Sequence, residues 1–157
     1  MKVWRLARRP YAALDGEGAR RFGGRWNPRG RPVVYAAEHL SLALLEIIVH
    51  LELSPDEFPQ DYVKIPIDIP DDVPVSRISS LPGSEAEMRT LGARWIDQRG
   101  TAVLVVPSVL VPEEFNVLLN SRHPEFPRIR AAAPRHFRFD RRLLKQRANP
   151  KSRPPGE

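Results

Sequence analysis

Three side chains in the first third of this 157-residue chain could act together on one ligand. Arg25 follows two glycines in a predicted turn, Tyr35 ends a short β-branched run, and Glu46 interrupts the apolar run 42–49. A helix that is apolar on every side is normally buried, and glutamate is almost never buried unless it is paired. Glu46 is therefore predicted to bind a cation, for which Arg25 is the obvious candidate, or to serve an active site. A purely structural ion pair is the plain alternative.

These three residue types fit a ligand that carries phosphates, a flat ring and a labile glycosidic bond. The planar guanidinium of arginine binds phosphate through two parallel hydrogen bonds, and tyrosine offers a stacking face and a hydroxyl. A carboxylate can stabilise the oxocarbenium-like transition state of glycosidic cleavage. NAD combines all three features and is expected as a substrate, with no separate cofactor. Many folds combine Arg, Tyr and Glu, so the pattern favours NAD without excluding other ligands.

Other familiar chemistries lack their motifs in this chain. Gly16-Glu17-Gly18 begins a dinucleotide-like glycine pattern, but Arg21 stands where the third glycine is needed. The sequence contains no glycine-rich phosphate loop ending in Gly-Lys and no Gly-x-Ser-x-Gly motif. Its four histidines lack metal-like spacing and it has no cysteine, so neither a metal site nor a disulfide is predicted.

The elements that must position these residues are predicted to be short strands and two clear helices. Strands are predicted at 2–6, 32–36, 61–69, 101–106, 116–120 and 136–140. One helix should begin at the N-cap Ser41 and end near Leu53, and the other should run from the cap Ser84 to Gln98. Pro66 predicts that its strand lies at an edge or contains a bulge. This mixture predicts an α+β domain with a small or split sheet.

The net charge of +6 is concentrated near the C-terminus. From Arg122 onward, eleven Lys and Arg face three Asp and Glu, whereas the preceding body is close to neutral. Segment 146–157 is predicted to be a basic, proline-rich, disordered tail; it could attract an anionic partner or simply be solvated. No apolar run reaches membrane-spanning length, and the N-terminus does not resemble a signal peptide, so a cytoplasmic protein is expected.

Nearly the whole chain, up to about Leu143, resembles the RES-domain toxins, a family named for an Arg, a Glu and a Ser. Each matching segment is short, but their order and spacing are specific. The segments are Val3-Trp4-Arg5, Gly16-Glu17-Gly18-Ala19, Gly23-Gly24-Arg25-Trp26-Asn27, Val34-Tyr35-Ala36, Ala43-Leu44-Leu45-Glu46, Val106-Pro107-Ser108, Glu114-Phe115-Asn116 with Asn120, His123-Pro124-Glu125-Phe126, and Phe139-Asp140-Arg141-Arg142-Leu143.

This resemblance implies an ADP-ribosyltransferase-like fold with a small split sheet for residues 1–145. It implies a toxin that consumes NAD by hydrolysis, phosphorolysis or ADP-ribosyl transfer. It also implies a helix-turn-helix antitoxin of the Xre type as partner, through which the toxin meets DNA only indirectly. No membrane partner is expected, and the choice between monomer and homodimer stays open.

The resemblance also assigns roles to five residues. Glu46 matches the catalytic carboxylate, Arg5 and Arg25 match the arginines that hold the dinucleotide, Tyr35 lines the nicotinamide pocket, and Ser108 is the serine of the name. Arg5, Arg25, Tyr35 and Ser108 would bind NAD, and Arg25 and Tyr35 would also assist Glu46 in catalysis.

Structural alternatives exist for several of these assignments. Arg5 could lie along an edge strand, Tyr35 could belong to the core, and Ser108 could be a turn residue or helix cap. The residues expected only to pack or to hold loops are Trp26, Asn27, Asn116, Asn120 and His123. The rival function is a basic nucleic-acid-binding toxin or ribonuclease that uses the C-terminal charges. It is disfavoured because few aromatic side chains are interleaved with those charges.

Overall fold

The computed structural model describes residues 1–51 and 57–144. Within them the chain forms eight strands and three α-helices. The strands are β1 (Lys2–Arg8), β2 (Val34–Ala37), β3 (Tyr62–Asp68), β4 (Val75–Arg77), β5 (Val103–Pro107), β6 (Phe115–Leu119), β7 (Arg130–Ala131) and β8 (Arg135–His136), and the helices are α1 (Glu17–Phe22), α2 (Leu40–His50) and α3 (Glu85–Gln98). Helix α2 ends at His50, because Leu51 already has an extended backbone, so the predicted helix end near Leu53 was wrong. The basic tail 146–157 lies outside the described residues.

All eight strands belong to one mixed sheet, which confirms the predicted α+β class. The strand order is β4-β5-β6-β2-β1-β3-β7, and β8 pairs with the other end of β3. Only β4 and β5 run parallel among the described strands; the other pairs are antiparallel.

The sheet is weakly joined between β1 and β2. In the described part of the chain, Trp4 and Ala37 form the single registered pair between these strands, whereas β1 and β3 stay in register from Lys2–Asp68 to Arg8–Tyr62. The sheet therefore divides here into two halves, as the predicted split sheet requires. This division is where the candidate site lies.

The core fills both faces of the sheet, and β5 shows this most clearly. Val103 and Val105 belong to one buried cluster, and Leu104 and Val106 belong to another that includes Trp26. Successive side chains of a strand point to opposite faces, so a continuous apolar run is the expected pattern of a strand covered on both sides.

Pro66 lies within β3, which is not an edge strand. The Pro66 carbonyl accepts a hydrogen bond from the Ala132 N–H at 2.9 Å, on the side away from β1. The nitrogen and carbonyl of one strand residue point to the same side, so the missing N–H faces the interval between β7 and β8. The edge alternative of the prediction was wrong, but its bulge alternative is confirmed. The register against β3 shifts by one residue between β7 and β8, opposite Pro66, and this bulge leaves room for a residue without an N–H.

Helix α2 is less buried than its apolar sequence predicted. Its buried residues are Leu42 and Ala43, which pack with Leu6, Ala37 and other residues of the adjacent cluster, whereas Leu45 is 41% exposed and Val49 is 56% exposed. The sheet covers one face of this helix, and the other face stays open. The N-cap is His39, which makes no side-chain capping bond, and Ser41 lies inside the first turn.

Helix α3 begins at the predicted cap. The Ser84 hydroxyl accepts a hydrogen bond from the Glu87 N–H at 3.2 Å, while the Glu87 carboxylate accepts one from the Gly83 N–H at 2.9 Å. The buried face of this helix includes Gly92, Trp95 and Ile96. No helix among residues 1–51 and 57–144 is both long and apolar enough to cross a membrane.

Candidate active site

A cavity of about 480 Å³ opens where β1 and β2 part. Its walls come from β1, β2, α2, the end of β5 and the segment 18–26, a volume and setting typical of small-molecule sites. Of the five residues predicted to form the site, Arg5, Arg25, Tyr35 and Glu46 line this cavity. The fifth, Ser108, lies directly behind Glu46.

The Glu46 carboxylate is held by two neutral donors. Its Oε1 atom accepts hydrogen bonds from Asn116 Nδ2 at 2.7 Å and from Ser108 Oγ at 3.0 Å. Ser108 is fully buried, and its hydroxyl oxygen accepts the Leu110 and Val111 N–H groups at 3.1 and 3.2 Å. These two bonds occupy the lone pairs of Ser108 and direct its proton to Glu46. The predicted turn role of Ser108 is therefore confirmed, and the same hydroxyl also orients Glu46.

The expected ion pair between Arg25 and Glu46 is absent from the described residues. Arg25 Nη1 instead lies 3.9 Å from Glu85 Oε2 at the start of α3, and Glu85 also binds Arg89. Because Ser108 and Asn116 satisfy one oxygen of Glu46, its half-buried carboxylate needs no cation in the unliganded protein. Its second oxygen makes no hydrogen bond to the described residues and is free to meet a ligand.

Hydrogen bonds of the Asn27 side chain hold the loop that carries Arg25. This fully buried side chain donates from Nδ2 to the carbonyls of Ala19 and Arg31 at 2.9 and 3.0 Å. Its Oδ1 accepts the Tyr35 hydroxyl proton at 2.7 Å. The expectation that Asn27 stabilises its own turn is confirmed. Arg25 is therefore presented by a fixed loop.

The Tyr35 hydroxyl makes two hydrogen bonds inside the protein. It donates to Asn27 and accepts the Trp26 N–H at 3.0 Å. Burial raises the pKa of Tyr35 above its usual value of about 10. Tyr35 is thus not equipped for proton transfer near neutral pH, but its ring still lines the cavity. Trp26 packs in the core, as expected.

Arg5 ties the two halves of the sheet together. Its Nη1 donates to the Tyr35 carbonyl on β2 at 3.0 Å, and its Nη2 donates to the Tyr11 carbonyl at 2.9 Å. Burial lowers the pKa of Arg5, and Asp15 opposes this shift; the guanidinium remains charged. Its Nε is buried and has no hydrogen-bond partner among the described residues. Arg5 also lines the cavity, where each terminal nitrogen of its guanidinium carries a second N–H group that can donate to a ligand.

Sequence reasoning underestimated three residues of the site. Asn116, expected only to hold a loop, binds Glu46 directly. His50 lies one helical turn beyond Glu46 and lines the same cavity, a position that the i, i+4 spacing could have indicated. Phe22 lies at the cavity wall, two glycines before Arg25. No group of potential metal ligands occurs among residues 1–51 and 57–144.

A family model and two relatives show which proteins this chain resembles. The chain matches the family described as RES domain over residues 2–142. Toxin Res of Pseudomonas putida is 43% identical over 129 residues, which cover 80% of this chain and 88% of the relative. The Prs ADP-ribosylating toxin of a Sphingobium species is 38% identical over 157 residues, covering 91% of this chain and 96% of the relative.

The fold is also similar to that of a solved structure. It is the MbcT–MbcA toxin–antitoxin complex of M. tuberculosis, with a TM-score of 0.69 and 18% identity over 87% of this chain and 83% of that one. At this identity the similarity shows a shared fold. It agrees with the ADP-ribosyltransferase-like α+β fold that the sequence implied.

Proposed function

Because this chain belongs to the RES-domain family, we propose that it is the toxin of a type II toxin–antitoxin system that depletes NAD in the cytoplasm. The reaction cleaves the bond between nicotinamide and ribose. The observation that carries the proposal is a half-buried carboxylate, Glu46, oriented by Ser108 and Asn116 in a cavity that Arg25 and Tyr35 also line. The names of the two relatives, a toxin and an ADP-ribosylating toxin, support the same assignment.

The residues that line the cavity have different roles in such a reaction. Arg25, aided by Arg5, holds the pyrophosphate, and the ring of Tyr35 packs against nicotinamide. The free oxygen of Glu46 binds the ribose and stabilises the positive charge that grows there as nicotinamide leaves with the bonding electron pair. An acceptor oxygen from water, phosphate or a protein side chain then completes the bond to ribose.

A protein antitoxin is the proposed partner, and the exposed face of α2 supports one. Leu45 and Val49, one turn apart on this helix, are exposed, as are Val109 and Leu110 just after Ser108. Exposed apolar side chains beside a functional cavity are typical of protein interaction sites. The structural neighbour belongs to a toxin–antitoxin complex.

The test is to incubate the pure protein with NAD, with and without phosphate, and to identify the products by mass spectrometry. Free ADP-ribose indicates hydrolysis, ADP-ribose 1″-phosphate indicates phosphorolysis, and a mass increase on an added protein extract indicates transfer. Failure to release nicotinamide with any acceptor contradicts the proposal. RNA cleavage under the same conditions would instead support the rival nucleic-acid-directed toxin.

Arg25→Lys is expected to weaken NAD binding by roughly 1–3 kcal/mol, the scale of a charge-assisted hydrogen bond. Lysine keeps the charge but loses the planar fork, and the 3.9 Å contact with Glu85 contributes little to stability. Calorimetry with NAD measures the effect. Arg31→Lys is the matched control, because Arg31 pairs with Asp97 away from the cavity. Equal affinity in both variants would mean that Arg25 does not contact the dinucleotide.

Asn116→Ala is expected to lower kcat roughly 10- to 100-fold, with a smaller change in KM. The substitution removes the 2.7 Å hydrogen bond to Glu46, and a bond to a charged group is worth about 1.5–3 kcal/mol. Ser108 alone would then orient the carboxylate. Steady-state kinetics at saturating NAD test this, with thermal melting as a check on folding. A folded variant with unchanged kcat would show that Asn116 does not position Glu46.

A further inference from the structure

Phe22 is the most exposed of the large hydrophobic side chains in the described residues, at 64%. It ends helix α1 and lines the cavity. Covering an exposed aromatic ring with another apolar surface is favourable, because it removes that surface from water. An exposed ring at the mouth of a ligand cavity therefore indicates that something covers it in the working protein.

The Phe22 ring is supported rather than loose. It meets the Tyr11 ring edge to face, with centroids 6.4 Å apart and planes at 81°. Tyr11 is itself anchored, because its carbonyl accepts the Arg5 Nη2 bond and its ring lies over Gly18, where an added Cβ would come 3.5 Å from Tyr11. A fixed aromatic ring beside an open cavity is suited to receive another flat ring.

Two glycines follow Phe22 and connect the cavity wall at its ring to Arg25. Gly23 ends α1 with a φ of +73°, and Gly24 packs so closely that an added Cβ would lie 2.6 Å from the Tyr35 hydroxyl. Neither glycine has a side chain to cover the Phe22 ring, and Arg25 comes next. Aromatic ring and guanidinium thus lie on one wall, while Glu46 comes from α2 on another.

We propose that Phe22 is the stacking platform for the adenine ring of NAD. The inference rests on the proposed function, because it uses the order of groups along the dinucleotide. With the nicotinamide ribose at Glu46 and the pyrophosphate at Arg25, the adenosine half extends past Arg25 to the cavity wall at Phe22. Stacking of a base on an aromatic side chain is favourable and needs no sequence-specific hydrogen bonds.

The test compares Phe22→Ala and Phe22→Trp with wild type on two substrates. NAD carries adenine, whereas nicotinamide mononucleotide carries the same scissile bond without the adenylate. Phe22→Ala should raise KM for NAD roughly tenfold with little change in kcat and leave kcat/KM for the mononucleotide unchanged, and Phe22→Trp should retain the wild-type KM. Leu143→Ala, which removes another exposed apolar side chain away from the cavity, should change neither.

Two outcomes would overturn the assignment. If Phe22→Ala had an unchanged KM for NAD, Phe22 would not stack on adenine and would instead contact another partner, such as the antitoxin. If kcat/KM fell equally for NAD and for the mononucleotide, Phe22 would only support the fold. Calorimetry with ADP-ribose separates this inference from the proposed function. Suppose that wild type binds ADP-ribose, that Phe22→Ala weakens this binding about tenfold, and that no nicotinamide is ever released. The stacking role of Phe22 would then be supported, and the proposed cleavage of NAD would be contradicted.

Discussion

Glu46→Gln will fold normally and will cleave NAD on the order of 10³-fold more slowly than wild type, the scale observed when one electrostatic stabiliser of a transition state is removed. Glutamine keeps the shape of glutamate, and its amide oxygen can still accept the bonds from Ser108 and Asn116. The NH₂ group then takes the place of the free carboxylate oxygen. A neutral donor at that position cannot stabilise the positive charge that develops on ribose, so the loss falls on the chemical step.

The kinetic signature distinguishes this role from a structural one. NAD affinity should fall far less than kcat, because the missing interaction grows only in the transition state. The measurements are kcat from nicotinamide release, Kd by calorimetry and the urea midpoint. Glu113→Gln, which neutralises an exposed carboxylate outside the cavity, is the control and should behave as wild type. NAD cleavage at the wild-type rate by folded Glu46→Gln would remove Glu46 from the mechanism.

The sequence predicted that Glu46 needs a partner, but it indicated the wrong one. Opposite charge made Arg25 the obvious candidate within the same stretch of chain. The observed donors, Ser108 and Asn116, are 62 and 70 residues away. They reach Glu46 because β6 pairs with β2, β5 pairs with β6, and α2 packs beside β2. Local pattern carries no information about such a register. The family resemblance supplied Ser108 without the contact that explains it.

Helix α2 and Arg5 show a second limit of local reasoning. An apolar helix was expected to be buried, but a helix lying on one side of a sheet can hide only the face that the sheet covers, and Leu45 and Val49 remain exposed. Arg5 was expected to bind ligand or to lie along a strand edge. Arg5 lies on an interior strand, and it bridges the opening between β1 and β2 through its bond to the Tyr35 carbonyl, a contact that the sequence did not predict. That role exists only because the sheet splits there.

Five strands and α3 were predicted well, because their signals are local. The short strands β4 and β7 were not predicted, and the strand predicted at 136–140 is only the two-residue β8 at 135–136. The continuous apolar run 101–106 became β5, buried on both faces, and Ser84 caps α3 as its spacing from Glu87 predicted. Gly92 in the middle of α3 carried no such signal. In the structure it is the point where the helix backbone meets the carbonyl of Trp26, next to Arg25. This contact makes a prediction that opposes ordinary helix propensity.

Gly92→Ala is expected to destabilise the protein by roughly 1–3 kcal/mol or more, the scale of overpacking a filled interior. In an open helix the same change stabilises by about 1 kcal/mol. Here the new Cβ would lie 1.8 Å from the Trp26 carbonyl oxygen and 2.8 Å from its carbon, and both atoms belong to backbone that cannot rotate away. Helix and loop must separate, which displaces Arg25 and strains the bond between the Trp26 N–H and the Tyr35 hydroxyl.

Gly100→Ala is the matched control for this variant, because no atom lies within 4 Å of a Cβ added there. Urea unfolding should give Gly100→Ala a stability close to wild type and Gly92→Ala a lower midpoint with an unchanged slope. NAD binding measured well below that midpoint, where the variant is still folded, should also be weaker in Gly92→Ala, since the loop that presents Arg25 has moved. If both alanine variants were equally stable and bound NAD alike, α3 would not hold this loop in place, and the pre-organisation of Arg25 would have to come from Asn27 and Tyr35 alone.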